Sequence, residues 1–134
     1  MVVTQTIALF TLVVPDYDAG IAFYVGKLGF ELLEDTRRSA TKRWVRVAPK
    51  GAQTAILLAK ADGPQQRAAV GNQTGGRVGF FLETDDFERD HDAMCAAGVT
   101  FREAPRAEPY GTVAVLEDPF GNLWDLIQHT AANG

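Results

Sequence analysis

A segment near the start of this chain recurs 70 residues further on, and no other feature limits the fold as tightly. Pro15-Asp16-Tyr17-Asp18 lies over Asp85-Asp86-Phe87-Glu88. Each follows an apolar run, Ala8 to Val14 in one and Val78 to Leu82 in the other, and each opens an amphipathic pattern. Asp16 and Asp86 suit helix N-caps, because a short carboxylate accepts the free amides of a first turn. Tyr17, Ile21, Tyr24, Val25 and Leu28 share one helical face, and Phe87, His91, Met94 and Cys95 share the other. Gly29 and Gly98 suit left-handed stops. Phe30 to Leu33 and Val99 to Phe101 then read as matching strands.

The match continues through Arg43 to Val47 and Thr112 to Leu116, both strand-like. Each leads into a Pro-x-Gly turn, Pro49-Lys50-Gly51 and Pro119-Phe120-Gly121, and then a last strand, Thr54 to Ala59 and Leu123 to Gln128. Each half therefore reads strand, helix, strand, strand, strand. Module 1 spans about 6–59 and module 2 about 77–129, with a Gly-, Gln- and Asn-rich linker at 60–76 that has room for one helical turn at Pro64 to Ala69. A module of about 60 residues is marginal alone. The expectation is one domain over 1–134.

Charge divides along the same line. Residues 1–70 hold nine Lys/Arg and six Asp/Glu, a net +3, and residues 71–134 hold four and eleven, a net −7. The total of −4 argues against a nucleic-acid partner, since phosphate binding wants a basic surface. No stretch approaches the ~20 apolar residues that a membrane helix needs, so no membrane partner is expected. Cys95 is the single cysteine, which excludes an intrachain disulfide and a multi-cysteine zinc site. The expected compartment is the cytoplasm.

Val14-Pro15-Asp16, Phe23-Tyr24 and Leu28-Gly29-Phe30 resemble the opening of glyoxalase/bleomycin-resistance/dioxygenase proteins, the vicinal oxygen chelate superfamily. Glu117-Asp118-Pro119-Phe120-Gly121-Asn122 resembles their closing motif, so the resemblance spans roughly residues 6–129. It implies an α+β fold of two βαβββ modules forming a curled mixed sheet around a cup, and a homodimer. It does not fix the chemistry, because one fold hosts many functions.

Metal-dependent relatives hold a divalent ion with His and Glu side chains from the cup strands, leaving a coordination position open to polarise substrate. The resemblance puts those positions at Leu9, at Gly79, at Ala55 or Leu57, and at Asp125. Only Asp125 can ligate, so the expectation is no metal and no cofactor. Nor do other residues supply a site. His91 and Cys95 stand four apart on a helix, where a Cys–His nucleophile is conceivable. However, Cys95 matches Val25 in the repeat, which predicts a buried, inert thiol. His129 shares a strand face with Asp125 at about 13 Å, too far for a dyad. Gly71 to Gly76 precedes a strand rather than a helix and is no phosphate loop.

Strand alternation sorts the faces. Leu9 places Ile7, Thr11 and Val13 on the cup side, with Phe10, Leu12 and Val14 toward the helices. Gly79 places Arg77, Phe81 and Glu83 in the cup. Val45 and Val47 suit the helix side, which leaves Trp44 and Arg46 for the cup; Asp125 and Ile127 face in from the last strand. Tyr110 stands where a ring can close the mouth. The expected lining is thus Leu9, Thr11, Trp44, Arg46, Leu57, Gly79, Phe81, Tyr110 and Asp125, with Gly79 leaving room for a ligand atom. That make-up fits metal-independent binding of a small molecule, as in the family's drug-sequestering resistance proteins. Asp125 would attract a cationic group, and Trp44 and Tyr110 would stack on a flat one. Two alternatives stand beside it. One is a superfamily enzyme of lyase, isomerase or dioxygenase type, with a non-standard or metal-free site using Asp125. The other is a non-catalytic interaction protein whose cup is merely packed.

Overall fold

Alternating apolar residues in the first strand seat Leu12 and Val14 at 0% exposure, and the rest of the first sheet is assembled around that face. The structure is a computed structural model that describes residues 4–130. Two compact units divide between Val70 and Gly71, the boundary at which the charge changes sign. Both are mixed α+β units.

The first unit runs β1 (Leu9–Val14), α1 (Tyr17–Tyr24), β2 (Glu31–Arg37), β3 (Arg43–Ala48), β4 (Ala55–Lys60) and α2 (Gly63–Ala69). Its sheet has the order β1-β4-β3-β2, with β1 and β4 parallel and the other pairs antiparallel. Asp16 caps α1 by accepting from the Ala19 amide at 3.0 Å. Gly29, at φ +82°, lies just beyond the turn that follows. One sheet face buries Leu12, Val14, Val45, Val47 and Leu58 against Tyr17, Phe23, Tyr24 and Phe30. Each such side chain contributes about 1.5–3 kcal/mol on burial. Gly20 lets α1 close on the sheet, since a Cβ there would stand 3.1 Å from Leu58 Cδ1.

The second unit runs β5 (Val78–Glu83), α3 (Phe87–Ala96), β6 (Thr100–Phe101), β7 (Arg106–Glu108), β8 (Gly111–Glu117) and β9 (Leu123–His129). Its order is β5-β9-β8-β6, with β5 and β9 parallel and β7 pairing β8 further along. Asp86 caps α3 through the Arg89 amide at 3.0 Å. Trp124, Leu126, Ala114 and Leu116 are buried on the side of Phe87 and Met94. The buried Asp118 carboxylate holds the turn into β9, accepting from the Phe120 and Asn122 amides at 2.9 and 2.8 Å and from Asn122 Nδ2 at 2.7 Å.

Several expectations need correction. The helical segment expected in the linker is present as α2 and starts one residue before Pro64. The second strand of the second module is split into β6 and β7. Phe10 keeps its helix-side alternation with Leu12 and Val14, yet it is 52% exposed near the start of β1. The buried side of α1 consists of Tyr17, Gly20, Phe23 and Tyr24, with Ile21, Val25 and Leu28 only half-buried. Cys95 is exposed rather than buried. Val25, its repeat partner, lies past the end of the shorter α1, so the repeat carried no information about burial at that position.

Candidate functional site

The face opposite α3 in the second unit centres on Asp125. Its register partners are Phe81 on β5 and Val115 on β8, so β9 delivers a carboxylate between an aromatic ring and an aliphatic side chain. Asp125 is half-buried, and its Oδ1 is fully covered with no hydrogen-bond partner. Burial pushes its carboxyl above the ordinary aspartate value, opposed by the charge of Arg106 and reinforced by that of Glu103.

Those two side chains come from the irregular segment before β8. Glu103 Oε2 accepts from the Val115 amide at 3.1 Å, beside Asp125. Arg106 Nε donates to both Glu103 oxygens at 3.0 Å, and its Nη1 donates to Glu108. Phe81 is 67% exposed and Tyr110 51%. At the strand ends, His129 Nε2 stands 3.3 Å from Glu83 Oε2.

The equivalent face of the first unit differs in kind. The register carries a row from Thr11 to Leu57 to Arg46 to Glu34. Arg46 Nε donates to Glu34 Oε1 at 2.9 Å. That bond, and a second from the Thr36 hydroxyl at 2.9 Å, hold the Glu34 carboxyl below its usual value. Leu9 pairs with Ala55 in the next row on that face. Trp44 lies opposite Thr36, with the Arg38 guanidinium 5.7 Å from its ring centroid.

Leu9, Thr11, Trp44, Arg46 and Leu57 therefore share the face opposite α1, while Phe81 and Asp125 share the face opposite α3. Tyr110 stands immediately before β8. Gly79 does not leave a ligand vacancy. It lies at a register shift in β5, and a Cβ there would meet Thr74 Cγ2 at 2.5 Å, so Thr74 takes that space. Glu103, Arg106 and Glu108 are functional candidates that alternation could not find. The approach of Glu103 and Arg106 to Asp125 depends on β7 pairing with β8, and the acidic excess of the second half was the only trace of the glutamates.

The positions implied for a metal do not fit one. Leu9, Ala55, Leu57 and Gly79 offer no lone pair from a side chain, and one carboxylate does not make a chelate. Among the described residues, no group of three or more His, Cys, Asp and Glu side chains comes together in a way that could hold a metal ion. His91 stacks on Phe87 at 5.4 Å and tilts against Phe101 at 4.4 Å, while Cys95 Sγ lies 3.9 Å from both ring nitrogens. No helix is long and apolar enough to cross a membrane among the described residues.

Comparison with known proteins agrees with this architecture. The model of the Glyoxalase/Bleomycin resistance protein/Dioxygenase superfamily matches residues 6–126. An uncharacterized protein of Shewanella frigidimarina (strain NCIMB 400) is 52% identical over 126 residues, covering 92% of this chain and 93% of that one. The crystal structure of TnmS3, an antibiotic binding protein from Streptomyces sp. CB03234, is 32% identical with a TM-score of 0.77, covering 97% of this chain and 100% of that one. A glyoxalase/bleomycin resistance protein from the same Streptomyces is 34% identical, with a TM-score of 0.70 and coverage of 92% and 100%.

Proposed function

Because the chain belongs to the Glyoxalase/Bleomycin resistance protein/Dioxygenase superfamily, we propose that it is a small-molecule-binding protein that works without a metal, its ligand held in the β-cup. One observation carries this reading. The half-buried Asp125 carboxylate stands between the exposed Phe81 ring and Val115, with its covered Oδ1 lacking a hydrogen-bond partner, a polar anchor within an apolar surface. Ligand sites have that composition. The antibiotic-binding relative supports the same class of activity.

Leu9, Thr11, Trp44, Arg46 and Leu57 are proposed as ligand-facing residues of the first unit, and the chain is proposed to act as one domain in a cytoplasmic homodimer. Attraction between the +3 half of one copy and the −7 half of the other favours association. A second reading draws on the same upward shift of the Asp125 carboxyl, which suits a general base.

The test is a thermal-shift screen of chemically diverse aromatic and polycyclic compounds, run in chelator-treated buffer. A ligand at 100 times its dissociation constant adds about 2.7 kcal/mol of stability. Stabilising hits recovered unchanged by mass spectrometry support binding, and hits recovered transformed support the enzyme. A silent screen that responds only after a divalent metal is restored contradicts the metal-free reading.

A further inference from the structure

We propose that Asp125 is the seat of a protonated amine carried on a flat apolar frame, an assignment that rests on the small-molecule reading and names the ligand class. The Oδ1 atom is covered and has no hydrogen-bond partner. A carboxylate in that position is short of a donor, and leaving a buried charged group unpaired is unfavourable. Arg106 is the cation whose charge acts on it, and two of its nitrogens donate elsewhere. Its Nε lies on both oxygens of Glu103 and its Nη1 on Glu108. The two glutamates offset the Arg106 charge, which leaves Asp125 open to a further cation from outside the chain.

The surroundings select the kind of cation. A divalent metal needs several donors, and the strand neighbours of Asp125 are Phe81 and Val115, which have none to give. An ammonium needs one carboxylate and tolerates apolar walls. Phe81, directly across from Asp125 and 67% exposed, offers a ring to a flat frame and a π-face to the cation. An anion is disfavoured, because Glu103 and Glu108 join Asp125 around the single Arg106.

Titration calorimetry of the full chain with a matched naphthalene set decides the matter: 1-naphthylmethylammonium, neutral 1-naphthylmethanol and 1-naphthoate. The ammonium is expected to bind roughly tenfold or more tightly than the alcohol, the scale of one charge-assisted contact, with the naphthoate weakest. High salt should narrow the gap, and Asp125→Asn should erase it while changing alcohol affinity little. If the Asn variant unfolds, the wild-type ranking and its salt dependence decide alone. An alcohol that binds as well as the ammonium, or a preference that survives Asp125→Asn, overturns the amine assignment and leaves the small-molecule reading standing. No binding by any of the set also overturns the assignment. The small-molecule reading falls only if the broad screen is silent as well, with and without added metal.

Discussion

The two modules share a backbone plan and differ on the face that the helix does not cover. Asp16 and Asp86 cap their helices through the same contact at the same 3.0 Å. Both sheets place their first and last strands parallel and adjacent. Across the first face, however, charge closes on itself, with Arg46 bound to Glu34. Across the second, Arg106 is occupied by two glutamates, and Asp125 keeps a buried oxygen without a partner. The plan depends on caps, turns and buried aliphatics, so the opposite face is free to diverge. One module uses that freedom for internal pairing and the other for a vacancy in charge.

If the shared plan is what folds both modules, removing its core should damage them alike. Leu58→Ala and Leu126→Ala each empty a fully buried position and should each destabilise by about 2–5 kcal/mol in urea unfolding. A large loss in one and a negligible loss in the other would break the equivalence.

The turns should respond less, and unequally. Asp118 has three hydrogen bonds to make, while its repeat counterpart is Ala48. Asp118→Ala should therefore cost about 1.5–3 kcal/mol, confined to a turn that the first module builds without a carboxylate. Gly51→Ala and Gly121→Ala form a matched pair. At Gly51, φ is +80° and a Cβ meets nothing within 4 Å, so the left-handed backbone alone should cost about 1–2 kcal/mol. Gly121, at φ +110° with a Cβ 3.3 Å from the Gly71 carbonyl oxygen, should lose more. Equal losses would mean that the approach to Gly71 has no weight.

The smallest effects concern pH and have opposite signs in the two modules. Hydrogen bonding from Arg43 holds the Asp35 carboxyl below its ordinary value. Its contribution to stability is therefore present above the ordinary aspartate range and is lost as pH falls through the depressed one. Burial raises Asp125, so the folded chain retains a proton that the unfolded chain has released. Its contribution is full below the ordinary range and is lost as pH rises through the raised one. At neutral pH, Asp35→Asn should lower the unfolding midpoint and Asp125→Asn should raise it, with both differences fading in acid. Midpoints measured across pH check the signs, and a shared sign would contradict the contrast.

The repeat made the plan legible because capping, turn chemistry and strand alternation are local and were written twice. Val45 and Val47 are buried and Trp44 and Arg46 half-buried, as alternation implies. What local pattern missed depended on tertiary placement. Cys95 is exposed near the end of α3, at a position for which α1 has no helical counterpart. Thr74 reaches back into the space beside Gly79 from the preceding loop. Glu103 and Arg106 meet Asp125 only because the second strand of their module breaks into β6 and β7. Asp125 itself was legible as a lone carboxylate on an inward strand position; its lack of a partner was not.

The central claim is that the ligand's charge is met on the second module by Asp125, with no metal between them. The most direct measurement is a titration of the isotopically labelled chain with 1-naphthylmethylammonium in chelator-treated buffer, followed by amide chemical shifts. The account predicts saturable shifts at Phe81, Arg106, Val115 and Asp125, all lost in Asp125→Asn. Shifts that spare these residues and cluster at Arg46 and Leu57, or that emerge only once a divalent metal is added, would contradict it.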